Sequence, residues 1–202
     1  MAILTANNQS LTEITALPSV ITPGSLVLLA TETASGSATI DFTSNIDSTY
    51  PLYVFKFIDI HPATEAYYLA FQGNAAGGSG YNETITSTFV YTHHAEDDSG
   101  TPVLTYDNDG DQGQGTGAQQ ISVSIGTDND QNGAGELWLF NPSSTTFIKH
   151  WMAKVNTAYH ADGATTTYTS GYFNTTSAID EIQFKMTSGN IDAGTIKMYG
   201  VT

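Results

Sequence analysis

The feature that most limits what this chain can fold into is a series of short β-type runs set close together. They read "SLVLLA" (25–30), "ATIDF" (38–42), "LYVFKFIDI" (52–60), "AYYLAFQ" (66–72), "TITSTFVYT" (84–92) and "PVLTY" (102–106). The series continues with "ISVSI" (121–125), "ELWLFN" (136–141), "TFIKHWMAKV" (146–155), "TTYTSGYF" (166–173), "AIDEIQFKM" (178–186) and "TIKMYGV" (195–201). Turn residues separate them and no helical period recurs, a pattern that belongs to sandwiches and jelly rolls. The expected fold class is all-β, a jelly-roll-like antiparallel β-sandwich over residues 25–202. The 202 residues suit one such domain.

Two runs alternate as half-buried strands do. In "AIDEIQFKM", Ala178, Ile182, Phe184 and Met186 fall on one face and Glu181, Gln183 and Lys185 on the other, which predicts a polar face in water. In "TFIKHWMAKV", Ile148, His150 and Met152 share one face while Phe147, Lys149, Trp151 and Ala153 share the other. Both sides carry aromatic or aliphatic groups, so a partner is expected on one of them. His150 reads as a hydrogen-bonded core histidine.

Residues 1–24 lack clean alternation and contain two prolines, which predicts an N-terminal arm leading into the domain at Pro23-Gly24. Its aliphatics, Ile3, Leu4, Leu11, Ile14, Leu17, Val20 and Ile21, are the candidate contacts to a neighbour. A frayed terminus is the competing reading.

Charge narrows the partners. Twenty Asp and Glu stand against five lysines and no arginine, a formal net charge of −15. Such a field repels phosphate backbones, and the guanidinium fork that grips phosphate or guanine is lacking, which argues against nucleic acid. The longest early apolar run, Leu26 to Ala30, cannot span a bilayer, and no basic, apolar leader opens the sequence, so synthesis in a cytoplasm and no membrane insertion are expected. With no cysteine, disulfides and thiolate chemistry are out of reach.

The acidic loops hold the ligand-type patterns. In "DNDQNGAGE", Asp128, Asp130 and Asn132 alternate, Gly133 permits a sharp turn and Glu136 follows, as in the first part of a calcium loop. Leu139 occupies the place of the bidentate twelfth ligand, so the match is partial and a solvated acidic turn competes with it. "DNDGD" offers Asp107, Asp109 and Asp111, but Gln112 and Ala118 stand at its sixth and twelfth places. His93, His94, Glu96 and Asp97 form a further cluster, although adjacent strand residues point to opposite faces. "GNAAGGSG" (73–80) reads as a flexible glycine-rich loop without the lysine of a phosphate loop. Glu83, Glu136 and Glu181 are the carboxylates a glycosidase would need in a facing pair. Tyr67, Tyr68, Tyr91, Tyr159, Tyr168 and Tyr172 could stack on sugars, with core or interface packing the more ordinary use. No nucleophile and base can be matched, and no catalytic residue is assigned.

The stretches "GSLVLLATETASGSATIDFTSNIDSTYPLYVFKFIDIHPAT" (24–64), "FNPSSTTFIKHWMAKV" (140–155) and "GYFNTTSAIDEIQFKMTSGNIDAGTIKMYGV" (171–201) resemble a family of small virion proteins of tailed bacteriophages. The closing "SGNIDAG" followed by "YG" is the most specific part. The resemblance implies a jelly-roll-like protein, assembled in the host cytoplasm, on the outer surface of the virion. There it would be a capsid decoration (cement) protein that binds the major capsid protein and copies of itself, a homotrimer by family analogy. Alternatively it would be a tail-associated, host-facing protein that binds a receptor or host glycan. The family implies no enzyme activity and no cofactor; calcium at Asp128, Asp130, Asn132 and Glu136 is a reading of the residues alone.

Overall fold

The computed structural model describes residues 26–202. The arm, with Ile3, Leu4, Leu11, Ile14, Leu17, Val20 and Ile21, lies outside the described residues. In chain order the strands are β1 (Leu26–Ser37), β2 (Ile40–Phe42), β3 (Leu52–Pro62), β4 (Leu69–Ala75), β5 (Ile85–Ala95) and β6 (Val103–Tyr106). There follow β7 (Gly113–Gly115), β8 (Gln119–Gln120), β9 (Gly133–Phe140), β10 (Lys149–Tyr159), β11 (Gly163–Phe173), β12 (Ile179–Met186) and β13 (Ile191–Val201). The described residues contain no helix.

All strand pairings are antiparallel, and they form two sheets. The larger runs β1-β13-β3-β9-β10-β11-β5-β6, with β7 also on β5, and the smaller runs β2-β12-β4-β8. The chain crosses between sheets repeatedly: β1, β3, β9 and β13 lie in the larger, while β2, β4, β8 and β12 lie in the smaller. The expected all-β class therefore holds.

The inner faces meet in one aromatic core. Phe71 lies edge-on to Trp151 at 4.9 Å, and Phe184 is 5.3 Å from Phe55 and 5.2 Å from Phe57, with Phe42 5.2 Å from Phe55. These edge-to-face pairs join strands of both sheets and add about 0.5–1.5 kcal/mol each to the burial of their rings. Gly73 is needed for that closeness, since a Cβ there would stand 3.0 Å from the Phe173 ring. The expected glycine-rich loop thus begins later: Gly73, Asn74 and Ala75 are buried in β4.

Beyond this core, under β5 and β11, the interior turns polar. Thr157, Thr165, Thr167, Thr169, Ser87, Gln119, Ser122 and Ser124 are all buried. Ser87 donates to Gln119 at 2.6 Å, and Gln119 donates onward to the carbonyls of Gly110 and Gln120, while the buried Thr169 hydroxyl has no partner in the protein. The run 121–125, expected as a strand, is instead buried irregular backbone with one bridging residue. Hydroxyls break its ladder, the Val123 amide donating to Thr167 Oγ1 and Ser122 Oγ accepting from the Leu69 amide. Side-chain hydroxyls that bond the backbone in this way compete with strand pairing.

Two further expectations change. The loop 107–117 is not only an exposed tip, because β7 pairs with β5 and Gly110 is buried where a Cβ would meet Phe89 at 2.6 Å. His150 is exposed on the outer face, while Lys149 is fully buried. The lysine is held by carbonyls, donating to Phe147 O at 2.8 Å and Thr175 O at 3.1 Å. Burial pulls its pKa below the usual lysine value, with Glu83 acting weakly the other way.

Candidate functional site: the bare face and the tyrosine pocket

Because side chains alternate along a strand, each sheet has an inner face in the core and an outer face that needs its own solution. On the smaller sheet the outer row is polar. Gln183 stands between Asp41 and Gln72, and it donates to Asp41 at 2.8 Å. Glu181 accepts from Asn74, and Gln72 is buried by the chain's own loops, donating to the carbonyls of Glu83, Thr116 and Gly117. The outward amides of Gln183, Gln72 and Asn74 thus find acceptors within the chain, although Asn74 Oδ1 has no donor.

The outer face of the larger sheet differs. One row across it reads Leu28, Tyr199, Val54, Trp138, Met152, Ser170, Thr88. Beside it, Leu26, Val201, Leu52 and Phe140 are aligned, and His150 pairs with Tyr172 at 5.9 Å between rings. A third row reads Lys197, Lys56, Glu136, Lys154, Tyr168, Val90, Tyr106. Met152 is 55% exposed and Tyr168 48%, and two shallow depressions of about 480 and 470 Å³ run over the face. Leu28 stands as exposed as these, whereas Val54 in the first row is fully buried. Contiguous apolar surface of this sort marks an interaction site more often than it occurs by chance.

Charge is sorted as well. Three of the five lysines, Lys56, Lys154 and Lys197, stand in that third row. Lys56 pairs with Glu136 at 3.1 Å and Lys154 lies 5.6 Å over the Tyr168 ring. The Trp138 side chain, and then Lys56 and Lys154, hold the Glu136 carboxyl below the ordinary glutamate range. In a chain of net charge −15 this face is the one place where lysines gather in a row.

No protein-family model, characterised protein or solved structure matches this chain. What it does must follow from its own geometry.

For the calcium pattern, Glu136 is already paired with Lys56 on β9, and Asn132 donates to Asp59 at 3.1 Å. Asp128 and Asp130 lie in the turn ahead of β9. Among the described residues no group of three or more Asp, Glu or His converges as a metal set, so Asp128, Asp130 and Glu136 are not brought together. Glu136 and Glu181 occupy outer faces of different sheets and do not oppose each other across a cleft. His94 pairs with Asp98 at 3.3 Å while His93 faces inward to Tyr159, which splits the histidine cluster as alternation predicts.

The six tyrosines divide, with Tyr67 exposed and outside both groups. Tyr168 and Tyr172 belong to the bare face, whereas Tyr68, Tyr91 and Tyr159 line one concave pocket of about 190 Å³ with His93, Asp107 and Ser124. The larger sheet outruns the smaller one, and residues 121–125 lie in the gap under β11, with Gln119 and Gly110 under β5. Sequence reading missed this pocket because its walls come from five remote segments.

Proposed function

We propose that this protein is a non-enzymatic structural component of the outer surface of a tailed-phage particle, a capsid decoration protein that attaches to the shell through the bare face of its larger sheet. The observation that carries the assembly part is that face: three aligned rows of apolar, aromatic and lysine side chains in which Leu26, Leu28, Phe140, Met152 and Tyr168 stand exposed. Lysines there give an acidic lattice, or a second copy of this acidic chain, an approach free of the repulsion met elsewhere. The phage part rests on the resemblance of residues 24–64, 140–155 and 171–201.

A jelly-roll reading of the fold is supported by the strand order. The sets β1-β13-β3-β9 and β2-β12-β4-β8 are two four-stranded layers joined by crossings from one to the other. Two inserts, β5–β7 and β10–β11, then widen the larger layer into the bare face. Jelly rolls serve repeatedly in viral shells, although a fold alone does not give a function.

Copy number per particle is the test. Quantitative mass spectrometry of purified virions should find hundreds of copies, and Met152→Glu should strip them from the shell while the soluble protein stays folded. A few to a few dozen copies would overturn the shell assignment. That result would favour the second reading, a tail-associated host-facing protein, whose supporting observation is the tyrosine pocket.

A further inference from the structure

The pocket beneath β5 and β11 has a built wall. Ile125 bridges both Tyr67 and Tyr159 through its backbone, and its amide donates to Tyr67 O at 3.0 Å, tying the segment that bears Tyr68 to the end of β10. Tyr68 is fixed twice to Thr187, its amide donating to Thr187 Oγ1 at 3.2 Å and its carbonyl accepting from the Thr187 amide at 2.9 Å. Tyr159 is gripped between His93, 5.0 Å away and edge-on, and His160, 4.2 Å away. His160 is in turn held by Ser124 through Nδ1 at 2.8 Å. Gly163 leaves room for His93, since a Cβ there would stand 2.6 Å from its ring. These contacts fix the Tyr68 backbone and the rings of Tyr159 and His93 before any ligand arrives.

Asp107 supplies the charge. Its amide is pinned to Phe89 O, and its Oδ1 accepts the Asp109 amide at 3.0 Å. No protein donor among the described residues bonds its Oδ2. None of the five lysines lines the pocket, so the carboxylate has no cation of its own there. Burial chiefly, and then Tyr159, Asp107, Asp109 and Tyr91, push the Tyr68 phenol above its ordinary pKa, which keeps it neutral.

From this geometry we infer that the pocket binds an alkylammonium group, seated among Tyr68, Tyr91, Tyr159 and His93 with Asp107 as its counter-ion. Aromatic rings and one carboxylate are the means by which proteins hold ammonium groups, each ring contributing through its negative face. Size points the same way. Whole drug-sized ligands need about 300–1,000 Å³, so a space of about 190 Å³ takes one functional group. The acidic field of the chain concentrates cations at this mouth and gives a neutral sugar no such advantage. The group could be the head of a free quaternary amine or a lysyl side chain of a partner protein. The inference holds whichever particle surface the chain occupies.

The test uses the full chain and amide-resolved NMR titration with choline, its neutral isostere 3,3-dimethyl-1-butanol, Nα-acetyl-lysine methylamide and glucose. Choline or the lysine derivative should shift Tyr68, Tyr91, Asp107 and Tyr159, and which of the two binds tighter identifies the source. The neutral isostere and glucose should not. Asp107→Asn should weaken binding roughly tenfold, the loss of about 1.4 kcal/mol, while Asp162→Asn, outside the pocket, should leave it unchanged. The unaltered spectrum elsewhere will show that both variants are folded. Equal binding of the isostere, binding of glucose without choline, an unchanged affinity in Asp107→Asn, or no shift with either cation would each overturn the inference.

Discussion

On the smaller sheet the outward row Asp41, Gln183 and Gln72 is polar, and Gln72 is closed over by three carbonyls of the chain's own loops. On the larger sheet the outward row Leu28, Tyr199, Val54, Trp138 and Met152 is apolar, and Leu28 and Met152 are exposed. Both sheets bury their inner faces in the same aromatic core, so the contrast does not arise from stability of the fold. Exposed apolar side chains such as Leu28, Phe140 and Met152 cost solubility, which is the ground for the proposal that this face binds a partner. The net charge of −15 offsets that cost in solution.

The comparison can be broken most severely at the core that the two sheets share. Phe184→Ala should destabilise the chain by about 3–5 kcal/mol, the range for buried aromatic truncations, measured by urea denaturation. A loss below about 1 kcal/mol would mean that the sheets do not rely on one interior. Next in size is Gln72→Ala, which uncovers the smaller sheet by leaving the carbonyls of Glu83 and Thr116 without their donor, Gly117 O keeping that of Gln112. A loss of about 1–3 kcal/mol is expected, with faster proteolysis within 112–118; a silent change would show that the loops cover the sheet without that side chain.

Lys149 sharpens the contrast at the sheet end. Its folded pKa is depressed by burial, so the charged form is penalised in the folded state at neutral pH. As pH rises from the folded value towards the unfolded lysine value, the proton leaves the folded chain first and the penalty fades. Wild type should therefore gain stability relative to Lys149→Met between neutral pH and about pH 10, followed by paired melts. A constant difference would contradict this. The smallest effect belongs to the bare face: Met152→Glu should lie within about 0.5 kcal/mol of wild type in the isolated protein, despite abolishing attachment. A large stability loss would make that residue part of the core instead.

Much of this contrast was legible in the alternation itself. Ile182, Phe184 and Met186 against Glu181, Gln183 and Lys185 gave the smaller sheet's inner and outer faces, and "TFIKHWMAKV" gave two nonpolar sides with one left for a partner. Period alone could not say that Lys149 goes inside and His150 outside, since the lysine's ammonium is received by the carbonyls of Phe147, two residues back, and of Thr175, 26 residues on. Nor could it show 121–125 as irregular, because Thr167, 44 residues away, takes the Val123 amide. The strand β7 was hidden for the same reason, its partner β5 lying far back in the chain. The tyrosine pocket needed Tyr68, Tyr91, Asp107 and Tyr159 to be brought together by folding, and no spacing announces that.

One pairing carries a consequence for how the molecule is made. Strand β13 sits between β1 and β3, with Leu26 aligned to Val201 and Val201 to Leu52. While the ribosome is still short of residue 191, β1 therefore has no neighbour in the larger sheet, and β3 has an open edge. Sequence-distant pairing of this kind is slow, and unpaired edges are prone to stick to one another. The chain is thus committed to completing its sheet late, after residues 191–201 emerge, and shortening it by that one strand should yield aggregate in place of a slightly weakened protein.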